Sequence, residues 1–517
     1  MPETGRVVIL GAGLAALSAA LELAPYPVLV ISPEPLGQGA SSAWAQGGVA
    51  AAMALPDTPE AHARDTLRAG AGLVDPEVAA SVTAEARARI FGLAELGAPF
   101  DRDDQGGFLQ SREAAHSFAR VVRVGGDSAG AAIMATLVAQ VRATPSVQVL
   151  EGVSATGLLV EAGRVIGVAL AREGQAPVAL KAPAVLLASG GAGGLYALAT
   201  NPARIRGQGL GLAARAGARI GDAEFLQFHP TAIDAGLDPA PLATEALRGE
   251  GAILINARGE RFMEGLHPDQ ELAPRDVVAR AVFAQSQAGL RPMLDTRAVL
   301  GARIDAAFPA VAAACRAAGI DPVHQPIPVA AAAHYHMGGV ATDHRGRTSL
   351  YGLWACGEVA CTGLHGANRL ASNGLLEAVV YGRRAAIDIA GGLGAMTAPK
   401  VVLPETAPLA ATDPALIARL RRTMSDHAGV IRTERGLIRA LAEIARIEAL
   451  APEDPHLLNM TAAATLIASA ALLRQESRGG HYRADHPQVD GETGERRRMT
   501  LNLALACRAA ALTEDAA

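Results

Sequence analysis

The chain has 517 residues, half of them hydrophobic and 19% charged, so it can bury several cores and is too apolar for disorder. Its 46 basic and 51 acidic residues leave a net charge of -5, which speaks against a nucleic-acid binder, whose phosphate contacts need a basic surface. The four cysteines (Cys315, Cys356, Cys361 and Cys507) form no C-x-x-C pair, so they offer no zinc or iron–sulfur framework, and a reducing, cytoplasmic setting is expected.

Val7–Leu10 is a short apolar run of the kind that forms a buried parallel strand. Gly11-Ala12-Gly13-Leu14-Ala15-Ala16 follows, then a helical stretch to Leu23 and a second apolar run, Val28–Ile31. This is the order of a dinucleotide-binding unit. Gly11 permits the tight turn, Gly13 lets backbone approach a pyrophosphate, and the helix N-terminus attracts the phosphate charge. Glu34, 23 residues after Gly11, is a candidate ribose contact. No basic region precedes the first strand, so no secretory signal is expected. Apolar runs such as Ala182–Ala199 are short or glycine-rich, so no membrane-spanning helix is expected either.

The small-residue loop Ala40–Gly48 suits backbone donors lying close to a flat, polar ligand. Residues 147–181 read as short strands with turns at Ala162-Gly163 and Glu173-Gly174. Ala184–Ala188 is another buried strand, ending in the glycine-rich Ser189–Gly194. Residues 233–336 read as an insertion, in which Ala252–Asn256 pairs with Arg261–Met263 and Arg275–Gln285 is helical. After the glycine-rich Met337–Glu358, the last hundred residues change character. Asp413-Pro414 and Asp454-Pro455 start helices, the second stopped at Gly479-Gly480.

Several polar residues sit in apolar or glycine-rich surroundings: Gln227 and His229, Thr244 and Glu245, Arg275, His334, His365 and Arg369. Two histidines and two arginines suit a small dianionic substrate, because arginine forks carboxylates and histidine adds an adjustable donor. The histidines are too scattered to define a metal site. Neither a G-x-S-x-G elbow nor an H-E-x-x-H helix is present, so a hydrolase has no support.

These motifs, in this order, resemble the L-aspartate oxidase family, within the flavoprotein superfamily of succinate dehydrogenases and fumarate reductases. The resemblance runs from Gly11–Ala16 through Ala45–Gly48, Gln227–Thr231, Thr244–Gly251, Ala273–Asp276, His334-Tyr335, Gly357-Glu358 and Gly363–Arg369 to Glu476–Gly479. It implies an α/β, Rossmann-like FAD-binding domain (1–232 and 337–400), an inserted α+β capping domain (233–336) and a C-terminal helical bundle (412–517). It implies FAD held by Ala12, Gly13, Leu14 and Ala15, by Ser41, Ser42, Ala43, Trp44, Ala45, Gln46, Gly47 and Gly48, and by Glu358, Gly374 and Leu375. Ser41 stands where the respiratory subunits carry a covalently linked histidine, so a non-covalent flavin is implied. His229, Thr244, His334 and Arg369, with Gln227 and Ser372, would bind a dicarboxylate. Arg275 would donate or accept a proton, and Glu113, in Ser111-Arg112-Glu113, would face the substrate's amino group. The implied reaction is oxidation of L-aspartate to iminoaspartate, with oxygen or fumarate as acceptor, in NAD biosynthesis through quinolinate, with possible transient contact with quinolinate synthase. The alternatives are a respiratory flavoprotein subunit and a flavin-binding scaffold without turnover. The chain departs from its relatives at Pro33, often lysine, at Gln208, an acid in one relative, at Gly374, commonly serine, and at Ala114-Ala115, a glycine pair.

Overall fold

A computed structural model of the chain describes residues 2–394, 396 and 398–514. Its centre is a five-stranded parallel sheet in the order Leu353–Ala355, Val185–Leu187, Val7–Leu10, Val28–Ser32, Val147–Glu151. The three inner strands are fully buried on both faces, as their unbroken apolar runs require. The helix after the first strand runs from Leu14, directly behind Gly13, to Glu22, so it starts three residues before Leu17, where the apolar spacing alone would begin it. Helix Asn373–Gly391 packs against it. A Cβ on Gly382 would lie 2.8 Å from the Ala15 carbonyl oxygen, so glycine sets that close approach. Strands Val153–Glu161, Arg164–Arg172 and Val178–Lys181 form an antiparallel sheet. Its first turn carries Ala162 and Gly163 at positive φ.

A second antiparallel sheet is ordered Leu226–Ile233, Ile327–His336, Met293–Asp295, Ile253–Ile255. Its long strands run through the expected boundary at 232 and up to that at 336, forming a two-stranded stalk under a separate apolar core that includes Leu247, Val278, Val311 and Ile327. The expected hairpin is corrected here. Ile253–Ile255 pairs with Met293–Asp295, and a single bridge, Ile255 to Arg261, is what remains of the local pairing.

Helices Pro414–His427, Glu434–Leu450, Pro455–Leu473 and Leu501–Glu514 form the C-terminal bundle. Asp413, Thr433 and Asp454 cap the first three by accepting backbone N–H bonds. Pro455–Leu473 is long and apolar enough to cross a membrane by length and composition, a run the sequence reading passed over, and it is the buried centre of this bundle. It ends at Leu473 rather than at Gly479-Gly480, because Arg474 turns extended and enters a buried ion cluster. Arg498-Met499 then pairs with Ile220-Gly221, tying the bundle to the rest of the molecule.

Candidate functional site

One cavity of about 630 Å³ opens at the carboxyl ends of the parallel strands and runs to the stalk of the second sheet. Ligands in open α/β folds bind at such strand ends. Its first half is backbone-rich. Gly11 has φ +119, and a Cβ there would lie 2.2 Å from the Ala188 carbonyl oxygen. Only glycine lets the two strand ends approach this closely. Gly13 is the N-cap of helix Leu14–Glu22, and the Leu14 N–H donates to Ser42 Oγ at 3.2 Å. Ser41–Trp44 form one 3-10 turn, packed on Gly130 so closely that a Cβ there would meet Ser42 O at 2.1 Å. Ala12 to Ala15, Ser41 to Gly48, Glu358, Gly374 and Leu375 all line the cavity, as do Glu34 and Gln208.

Glu34 and two of the departures, Gln208 and Gly374, have local accounts. Glu34 pairs with Arg204 at 3.3 Å. The Gln208 side-chain oxygen accepts from the Arg206 N–H at 3.0 Å. A Cβ on Gly374 would lie 2.9 Å from the Tyr335 ring, so a serine here would require that ring to shift. Glu358 accepts from the His336 N–H at 3.0 Å, and burial pushes its carboxyl up to about 7.

The far half collects the charged candidates. Gln227 lies behind the cavity wall and organises it. Its side-chain oxygen accepts from Arg275 Nη1 at 3.0 Å and from Arg369 Nη2 at 3.1 Å, while its amide donates to Asn368 Oδ1 and Arg369 O. Arg275 also donates from Nε to Glu245 Oε2 at 2.6 Å. Burial opposes ionisation of Glu245, but Arg275 and Arg248 outweigh it and hold its carboxyl below the usual range. The guanidinium of Arg369 stands 4.7 Å from the Tyr335 ring. That ring is anchored by bonds from its hydroxyl to Glu377 at 3.1 Å and to His365 at 3.2 Å.

His229 and His334 meet edge to face, ring centres 5.0 Å apart. The Thr231 N–H donates to His229 Nδ1, which leaves the ring proton on Nε2, facing the cavity. His334 Nδ1 lies 2.8 Å from Thr200 Oγ1. Burial, with the nearby arginines, holds both imidazoles well below their ordinary value, so they are neutral donors before any anion arrives. Thr244 also lines this end.

On the opposite side Glu113 is buried and accepts from Ser372 Oγ at 3.0 Å. Burial, then the neighbouring Glu245, raises its carboxyl, with Arg275 pulling the other way. This half of the site therefore contains four groups that welcome carboxylates and two buried acids, of which Glu245 is paired with Arg248 and Arg275 while Glu113, bonded to Ser372, is the one suited to a cation. Sequence reading undervalued Glu245, Asn201 and Thr200. Glu245 stood next to Thr244 in a marked motif, but the other two carried no local signal.

Five buried polar atoms in the cavity wall have no partner among the described residues: Gln46 Oε1, Ser189 Oγ, Asn201 Oδ1, His229 Nε2 and Arg369 Nε. Leaving such groups unpaired is costly, and a polar ligand spanning the cavity would satisfy them. A dinucleotide flavin fits that description: a glycine-lined helix N-terminus for its phosphates, and its ring near the charged half.

Residues 6–375 match the FAD binding domain family, and residues 453–507 match the fumarate reductase flavoprotein C-terminal family. The chain is 57% identical over 499 residues to an L-aspartate oxidase of Caulobacter vibrioides, covering 96% of each. It is 46% identical to that of Agrobacterium fabrum, covering 97% of this chain and 95% of the relative. Among solved structures, a quinol fumarate reductase of E. coli superposes with a TM-score of 0.86 at 26% identity, over 96% of this chain and 97% of the other. With cradle, charged half and full-length likeness in agreement, the chain belongs to the L-aspartate oxidase family of FAD-dependent flavoproteins.

Proposed function

We propose that the protein oxidises L-aspartate to iminoaspartate, the step that opens NAD biosynthesis through quinolinate. The observation that carries this reading is Glu113: a buried carboxylate that, unlike Glu245, has no arginine paired with it among the described residues, in a cavity otherwise furnished for two carboxylates. Succinate or fumarate has no group for it, whereas an amino acid does. His229, Thr244, His334 and Arg369 hold the two carboxylates, with Gln227 fixing the arginine forks. Arg275 supplies positive charge beside the reacting carbon. Glu113 receives the ammonium group. Its burial makes it a better base than an exposed carboxylate, so it takes a proton as the amine becomes an imine. FAD, when bound, supplies the two-electron acceptor for the hydride that leaves the α-carbon. Exclusion of water by the second sheet's domain protects the imine from hydrolysis.

Ser41 has no nucleophilic nitrogen for a flavin link, which supports non-covalent FAD, and acid precipitation of the protein should release all the flavin. Reoxidation by oxygen or fumarate, a cytoplasmic location and a direct hand-over of the imine to a quinolinate synthase complete the reading. A pull-down in which the two enzymes fail to associate, with free imine sustaining full flux, rejects the hand-over.

The test of the function is anaerobic mixing with L-aspartate while the flavin's visible band is followed, with succinate and D-aspartate in parallel. Bleaching by L-aspartate alone is expected. Bleaching by succinate alone moves the protein to the respiratory branch.

A further inference from the structure

Glu113 does not hold its own position. Three residues on, His116 is buried, and its ring is clamped on both nitrogens. Nδ1 lies 3.2 Å from Arg120 Nη1, and Nε2 lies 3.0 Å from the Ala371 carbonyl oxygen. A guanidinium can only donate, so Nδ1 is the acceptor and the ring proton sits on Nε2, donating to Ala371. Arg120 is itself fixed by a fork onto Asp57 (2.9 and 2.8 Å) and a bond to Asp65 (2.6 Å), and Asp65 also accepts from the Ser117 N–H and hydroxyl.

The bond to Ala371 closes a ring. Ala371 precedes Ser372, whose hydroxyl donates to Glu113, and the His116 N–H donates back to the Glu113 carbonyl at 3.2 Å. Both arcs of this ring hold a non-glycine residue in the left-handed region, Ala115 at φ +64 and Ser372 at φ +62. Such conformations persist only where surrounding contacts enforce them. Asn373 is tied from behind as well, to His62 at 2.7 Å and Thr66 at 3.0 Å.

We infer that His116 is a positioning residue for substrate selectivity: through Ala371 and Ser372 it holds the Glu113 carboxylate where an amino group must meet it. It does not line the cavity. Without it, Glu113 and Ser372 separate, and recognition of an amine suffers more than recognition of carboxylates. Burial also pushes this imidazole down to about 4, so it keeps the single-donor form across the working pH range.

The inference rests on the amino-group reading of Glu113, and the test separates the two. His116→Leu and His116→Gln are assayed as flavin-replete enzymes for L-aspartate oxidation and for fumarate reduction with reduced benzyl viologen. Losing a buried donor of this kind corresponds to roughly 10–100-fold. His116→Leu should lower kcat/KM for aspartate by about that factor, with fumarate reduction falling at least tenfold less. His116→Gln, which keeps a donor toward Ala371, should recover most of the loss. In a Glu113→Gln background, His116→Leu should add no further selectivity change. Equal losses in both reactions, or no rescue by Gln, overturn the inference while a selective Glu113→Gln defect leaves the Glu113 reading standing. If Glu113→Gln itself harms both reactions equally, that reading falls first. Should His116→Leu not fold, His116→Phe, which also removes the donor toward Ala371, replaces it in the cycle with Glu113→Gln, and coupling below twofold overturns the inference.

Discussion

Arg275 and Glu113 face the same cavity with opposite needs, and each can be tested separately. Arg275 makes three side-chain bonds, all to buried partners. Replacing it with Leu removes its charge from the cavity wall but leaves Arg248 next to Glu245. Arg275→Leu should retain FAD and cost about 10²–10³ in kcat, the usual loss for a preorganised electrostatic group. Near-normal turnover in a steady-state assay rejects its role. Glu113 makes a stability prediction as well. Its folded-state carboxyl is raised above the unfolded one, so the folded state binds the extra proton. Stability from this group is fully present below the unfolded carboxylate range and is lost as pH rises through the raised folded value. Glu113→Gln removes that slope. The substrate-free holoenzyme carrying it should melt higher than wild type at neutral pH and equally in acid, the pattern expected when activity needs an unfavourable buried group. A melting curve lower at neutral pH contradicts this.

Among the elements, the strand–turn–helix at the N-terminus is the most sequence-determined. Its signals are local: an apolar run, a turn glycine and a helix start within ten residues. Gly11→Ala should abolish FAD binding, because φ +119 and a 2.2 Å clash with Ala188 O both oppose a Cβ. Flavin absorbance that co-purifies at wild-type stoichiometry would show that the strand ends can part. The same locality explains where sequence reading stopped. Ile253–Ile255 finds its partner forty residues away rather than across the nearest turn, and no pattern in the strand announces that choice. Helix Pro455–Leu473 ends where Arg474 meets Glu224, 250 positions earlier, although the glycine pair lies further on. The candidate site divides in the same manner. Its residue types could be picked out individually, but Gln227 bonding Arg369 across 142 positions is a tertiary fact. Ala114-Ala115 stands directly after Glu113, where relatives carry a glycine pair. The fold instead imposes the glycine-like conformation on Ala115 and ties its carbonyl to Arg68 at 3.1 Å.

At the scale of the whole molecule, the C-terminal bundle braces the site although it contributes almost nothing to the cavity wall. Arg474, at the end of its central helix, donates to Glu224 at 2.5 Å, to Glu476 at 2.7 Å and to the Glu495 carbonyl at 2.9 Å, with its guanidinium 4.8 Å from the Phe225 ring. Arg432 donates to the Glu224 carbonyl at 2.7 Å. Glu224 and Phe225 lead directly into Leu226–Ile233, the strand that carries Gln227 and His229. The bundle thus fixes the start of the strand on which both arginine forks depend. Arg474→Met keeps the apolar contact with Phe225 but strands a fully buried carboxylate. Breaking a buried pair from one side costs about 3–5 kcal/mol, whereas replacing both partners is often near neutral. Arg474→Met should therefore lower the denaturation midpoint and raise KM for the dicarboxylate, and adding Glu224→Leu should restore most of the stability. If the double variant regains stability but KM stays high, the ion pair itself positions the strand. If both recover together, packing alone suffices. A single variant as stable as wild type would mean that Glu224 is already neutral in the folded enzyme, and the bracing would then belong to the Arg432 contact with its backbone.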